Sequence, residues 1–449
     1  MFRSLWIQVR SSLWFVPAVL VFGGAAMALL LVQLDIIYLR DLSDKRWELL
    51  LNTGSDGARG MLSAIASSMI TVAGVAFSVT IVSLSLASSQ YTPRILRNFM
   101  SDRGNQFVLG TFVAIFTYCL IVLRTIRASS EDEDGFVPLL AVAFALVLAL
   151  FSIGCLIYFI HHTAASIQAS TILKAVADET GSAIRELHPE ELAPDAADDG
   201  HHTPPRNVAW RPGRAQQSGY LQHGDGEELW EFAQKHDTLL RLERHAGDFV
   251  GEGMPLISTS RNLDAAAAKT LQSHFVIGDF RTIDQDAAFG IRQIVDIALK
   301  ALSPSVNDTS TAVSCLDYLS VLLMQLANRR LQPPFVVEEA RMRIFSSAPT
   351  FEDFVALSFD EIRLAGRENV ALLLQMLRCL QRIAEVTRNA SRQEVLVLHA
   401  RLIIEAADAT VAAPYDRARI NEDIAALRGQ CGAGASTLPQ LDLPAASTS

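Results

Sequence analysis

GMLSAIASSMITVAGVAFSVTIVSLSLASSQYTP, residues 60–93, runs for 34 positions without an Asp, Glu, Lys or Arg. An α-helix rises about 1.5 Å per residue and the hydrocarbon core of a bilayer is about 30 Å thick, so roughly 20 uncharged residues are enough to cross it. Three further stretches meet the same test: Ser11 to Leu34, Gly104 to Leu123 and Phe136 to Ile160. A lone span in hydrocarbon must pair its own backbone N–H and C=O groups, so each stretch reads as a helix. The expected fold class is membrane α-helical, with four transmembrane helices in residues 1–160 followed by a soluble α+β domain. That second part divides into an exit helix and linker (161–217), a small β-rich, barrel-sandwich-like unit (218–283), a helical soluble domain (284–430) and a disordered tail (431–449).

Within the opening stretch, Gly60, Ala64, Ser67, Thr71, Gly74, Ser78, Ile81, Ser85 and Ser88 recur at alternating steps of four and three, which places them on one helix face. The face is small and largely hydroxylated. In lipid such a face lets helices approach closely, so one reading is a packing seam in a bundle or a homo-oligomer. The other is that Ser67, Thr71, Gly74, Ser78 and Ser85 line a water-filled path for ions or small solutes, with hydroxyls replacing part of a hydration shell. The four charge-free stretches contain no acid or base, which argues against proton-coupled transport in particular.

With four spans, the N-terminus and the large C-terminal part share one side of the membrane. Arg94, Arg97 and Arg103 cluster between the second and third spans, whereas the loop between the third and fourth carries the acidic run Glu131–Asp134. Cation density marks the inner side, so both termini are expected in the cytoplasm. Lys and Arg number 11 against 10 Asp and Glu in residues 1–160, and 27 against 38 in the rest. The acidic second part lacks the clustered cations that nucleic-acid binding requires. Cys119, Cys155, Cys315, Cys379 and Cys431 are widely spaced and show no disulfide framework, as suits a reducing compartment.

After residue 160, HHTAASIQASTILKAVADETGSAIRELH continues as a helix. His161 and His162 read as residues of the membrane interface. PEELAPDAADDGHHTPPRNVAWRPGRAQQ, residues 189–217, has linker composition. GDFVGEGMPL, residues 247–256, resembles the turn of barrel-sandwich modules such as biotinyl and lipoyl domains. The lysine that would carry a prosthetic group is missing, so the likeness is one of shape and no cofactor is expected. Two helices follow, broken at Ser303-Pro304, with Asn307 or Asp308 able to cap the second. Arg292, Asp296 and Lys300 stand four apart, as on a solvated face. Alternatively Asp286, Arg292, Asp296, Asn307 and Asp308 converge as a polar pocket. Later segments such as VALLLQMLRCLQRIAEVT, residues 370–387, keep helical spacing.

Taken together, ITVAGVAFSVTIVSLSLASSQYTPRILRNFMSDRGNQFVLGTF, RTIDQDAAFGIRQIVDIALKALSPSVND and SGYLQ resemble the membrane-protein family known as domain of unknown function 2254, over roughly residues 5–430. Thr309 departs from the proline more usual there after the Asn-Asp pair. The resemblance implies a multi-pass protein of the bacterial inner membrane and brings no activity with it. Paired metal-ligand histidines, a GxSxG elbow, a glycine-rich phosphate loop and a CxxC pair are all missing from the sequence, so the expectation is a non-enzymatic protein. Its expected partners are the lipid bilayer and a second copy of itself. A channel or transporter is the alternative.

Overall fold

The computed structural model describes residues 14–39, 54–90, 102–127, 136–166, 168–192, 205, 207–331, 343–346, 349–430 and 436–443. The acidic run 131–134 and the arginines Arg94 and Arg97 lie outside them. The chain divides into two compact units, residues 1–171 and 172–449.

Among its described residues the first unit holds four long helices: α1 (Phe15–Leu34), α2 (Ser55–Gln90), α3 (Arg103–Thr125) and α4 (Leu139–Ser166). All four are long and apolar enough to cross a membrane. Side-chain ties at their ends fix their directions. Asp35, just past α1, bonds to the first turn of α4, and Arg59 in α2 donates to the Ile126 carbonyl past α3 at 2.8 Å. Asp102, which precedes α3, meets His162 near the end of α4. The helices therefore alternate in direction, so α1 starts at the same end of the bundle at which α4 finishes.

Helix α3 is the centre of this bundle. Val108, Phe112, Ile115, Cys119 and Val122 form its buried stripe. Two glycines set its distance from α1. A β-carbon on Gly24 would fall 2.9 Å from the Ala114 carbonyl oxygen, and one on Gly110 would fall 2.8 Å from Pro17 Cα. Small residues let helix backbones approach in this way, and close approach is what holds helices together where no hydrophobic effect operates.

In the second unit, α5 (Ala169–Leu187) buries Ile172, Leu173, Val176 and Ile184, as its three-and-four spacing dictates. This helix is part of the second unit's core. The linker expected up to residue 217 ends earlier, because β1 (Arg211–Arg214) is an edge strand paired antiparallel to β5 (Pro255–Thr259). Pro212 hides it from pattern reading, and an edge strand tolerates a proline that a central one would not. One sheet has the order β1-β5-β3-β7, with β3 at Leu240–Leu242 and β7 at Ile344–Phe345; the other has the order β4-β2-β6, with β2 at Gly219–Gly224, β4 at Phe249–Val250 and β6 at Phe275–Gly278. The GEGM turn carries the chain from one sheet to the other, with Gly253 at φ +80°. Two short helices, α6 (Gly226–Lys235) and α7 (Ala265–Ser273), complete this region. Strand β7 falls within RMRIFSSA, the one stretch of this segment whose sequence reads as a short strand, and lies parallel to β3, Leu240 opposite Ile344.

Among the described residues, six helices follow: α8 (Ala287–Ala301), α9 (Thr309–Leu326), α10 (Phe351–Ala365), α11 (Val370–Val386), α12 (Ala390–Thr410) and α13 (Pro414–Gln430). Most begin on a side-chain cap: Asp286 accepts from Phe289 N, Asp308 from Thr311 N, Asn369 from Leu372 N and Asn389 from Arg392 N, while Thr350 and Asp353 form a reciprocal capping box. The expectation of a disordered tail is corrected over residues 438–441. Leu438 and Leu441 are 2% and 3% exposed and are held against α13. Their three-residue spacing was hidden in a stretch otherwise rich in Ala, Ser and Gly.

Candidate functional site

Ser67, Thr71, Gly74, Ser78 and Ser85 are all exposed on α2, whereas Ala58, Leu62, Ala66, Met69, Ala73 and Ala76 are buried in the bundle. Ser67 and Ala76 are nine residues apart, about two and a half turns, so the hydroxylated stripe points away from the buried one. A seam inside the four-helix bundle is thereby corrected. The groove beside α3 is filled by methyl and leucine side chains, which pack it more fully than serines do. The Thr71 hydroxyl finds its acceptor on its own helix, Oγ1 donating to Ser67 O at 2.8 Å, as does that of the neighbouring Ser68, Oγ donating to Ala64 O at 2.7 Å. A β-carbon built on Gly60 or Gly74 meets nothing within 4 Å.

Each end of the bundle carries a polar junction. At one, the Asp35 carboxylate, 3% exposed, accepts amide protons from Leu140 and Ala141 at 3.1 Å each, and Tyr118 donates to the Ala141 carbonyl at 2.8 Å. Residues 35–39 continue α1 as a π-helix, so the apolar span extends to Ile37 and includes this acid. That corrects the reading of four acid-free spans. The charge-free run stopped at Leu34, but Ile36 and Ile37 beyond it were the available signal. At the other end, Asp102 Oδ1 caps α3 through Gly104 N at 2.8 Å, and its Oδ2 lies 2.6 Å from His162 Nε2. The Tyr158 ring stacks on His162. Asn105, 2% exposed in α3, has no hydrogen-bond partner for either side-chain atom among the described residues.

The five polar residues singled out in the second unit do not assemble into one pocket. Asp286 precedes α8, whereas Asn307 and Asp308 follow it, and its 15 residues separate them by about 22 Å. Asp286 is tied to Arg281 at 2.7 Å and caps α8; burial pushes its carboxyl pKa up while the guanidinium opposes the shift. Arg292 pairs with Asp296 at 2.8 Å and also with Glu361 of α10. Asp308 caps α9, and Asn307 stands at φ +49° in the turn before it. Three separate structural roles replace the pocket. The Cys315 and Cys379 thiols are pushed up to about 12 by burial, which leaves them inert as nucleophiles.

A family model described as "Predicted membrane protein (DUF2254)" matches residues 10–382, which spans all four bundle helices and most of the second unit. The chain is a member of the DUF2254 family. This DUF2254 chain is 34% identical over 431 residues to an uncharacterized protein of Mycobacterium tuberculosis (strain CDC 1551) and equally to one of Mycobacterium bovis; each match covers 93% of this chain and 80% of the relative. No solved structure matches the DUF2254 chain.

Proposed function

We propose that this DUF2254 chain is an integral protein of the bacterial inner membrane that works as a homo-oligomer. Copies meet through the α2 stripe, and the second unit is a non-enzymatic domain that supports or regulates the bundle. The observation that carries this reading is the outward direction of Ser67, Thr71, Gly74, Ser78 and Ser85. Small residues on a lipid-directed face contribute little by themselves, but they permit the close backbone approach that joins membrane helices. Both termini are assigned to the cytoplasm from the density of arginines between the second and third spans.

The test is oxidative cross-linking in membranes. Gly74→Cys is expected to give a covalent dimer, while Ala66→Cys, on the buried face, gives none. Monomer from both variants would sink the interface.

A second reading follows from the same exposed hydroxyls, in which the oligomer places the stripe around a hydrated path. Cysteines at Ser67, Thr71 and Ser78 then react with membrane-impermeant thiol reagents, whereas protection at all three identifies a dry seam. A reporter fused after Ser449 that is active only outside the cytoplasm reverses the orientation.

A further inference from the structure

Residues 436–443, STLPQLDL, lie along α13 in a way that resembles a bound peptide. Asn421 grips the main chain of Leu441 on both sides: its Oδ1 accepts the Leu441 amide proton at 2.8 Å, and its Nδ2 donates to the Leu441 carbonyl at 2.9 Å. Arg428 donates to the Leu438 carbonyl, and Arg417 Nη1 to the Asp442 carbonyl at 2.8 Å. Arg401 reaches the Thr437 hydroxyl at 3.3 Å. Leu438 and Leu441 supply the buried side chains. Four of these five contacts are to backbone atoms, so they read the main chain, and the two leucine side chains supply the spacing. Main-chain hydrogen bonds with pockets for spaced side chains are a recurring way to recognise short peptides.

We infer that the α13 surface is a recognition site for an acidic, leucine-spaced segment, and that residues 437–442 are its exchangeable occupant in cis. Charge sets the class of partner: Arg401 and Arg428 line the site together with Arg417, which also pairs with Asp408 at 2.7 Å, and the occupant carries Asp442 with no cation. Exchange follows from the balance of forces. Burial of two leucines stands against the conformational entropy of ordering about seven residues, and these quantities are of the same order. The inference is independent of the α2 interface.

The test uses the full chain in detergent with Leu438→Asp and Leu441→Asp together, which expels the segment, and a fluorescein-labelled synthetic peptide of residues 436–446 as probe. The release variant is expected to keep its circular dichroism and to bind the peptide saturably by anisotropy, at least tenfold more tightly than the wild type. Adding Asn421→Leu to the release variant is expected to weaken binding at least tenfold. Loss of folding in the release variant would make the segment an integral part of the core and overturn the proposal. So would no peptide binding, or equal binding by wild type and release variant.

Discussion

Asp35 and Ala141 are joined across the bundle, the Asp35 Oδ2 accepting the Ala141 amide proton at 3.1 Å while Oδ1 takes that of Leu140. One helix thus caps the N-terminus of another, where the buried amide of Ala141 and the half-buried one of Leu140 would otherwise lack these acceptors. Asp35→Ala is expected to cost about 1–2 kcal/mol. Thermal unfolding in detergent reads this as a lowered midpoint, and Asp35→Asn, which keeps one acceptor, falls between. An unchanged midpoint in both variants would remove the capping role.

The two faces of α2 respond oppositely to bulk. Ala73 is buried against the bundle and Gly74 is exposed with open space beside it. Ala73→Leu overpacks the core and is expected to destabilise the first unit by about 1–3 kcal/mol. Gly74→Leu leaves the fold intact and lowers the oligomeric mass measured by light scattering. A Gly74→Leu variant of unchanged mass would argue against contact between copies along this face.

Gly290 on α8 faces Thr180 on α5 so closely that an added β-carbon would collide with the threonine hydroxyl. Gly290→Ala is expected to destabilise the second unit by about 1–3 kcal/mol. Thr180→Ala in the same chain recovers part of that loss. A double-mutant cycle with no coupling would show that the two helices adjust freely here.

Acid weakens the second unit through His188. Burial first, then the Arg329 and Arg392 cations, hold its pKa down at about 4. An unfolded histidine titrates near 6.5, so below about that pH the unfolded chain takes up a proton that the folded chain refuses. Stability is therefore fully present above about pH 6.5 and declines until the folded side chain protonates near 4, a total of about 3 kcal/mol. Burial lowers the pKa of His399 as well, and its effect has the same sign. Denaturation followed by tryptophan fluorescence is expected to show a shallower decline between about pH 7 and pH 4 for His188→Gln than for the wild type. Parallel curves would assign the slope elsewhere.

Local signals were legible where the physics is local. Asp308 before a helical run reads as a cap and acts as one, because a cap involves only the next three residues. The polar pocket failed for the opposite reason: nearness in sequence from Asp286 to Asp308 becomes separation in space once the intervening residues form a helix. Arg392 shows the same limit. It reads as an ordinary helix arginine, yet it is fully buried, its Nη1 donating to the carbonyls of Leu326, the last residue of α9, and of Ala327 and Arg329 beyond it. Those acceptors are more than 60 residues away in the chain.

By itself, the sequence determined that four apolar helices come first and an acidic mixed unit follows, because apolar length and helical period are properties of single segments. It also carried the resemblance to a DUF2254 protein, since that rests on contiguous residues. Only the tertiary structure decided which face of α2 turns inward, that Asp35 belongs to the bundle, and that Leu438 and Leu441 dock on α13. Each of those outcomes depends on what a distant segment offers as a packing surface or hydrogen-bond partner, and no periodicity within one segment encodes the shape of its neighbour.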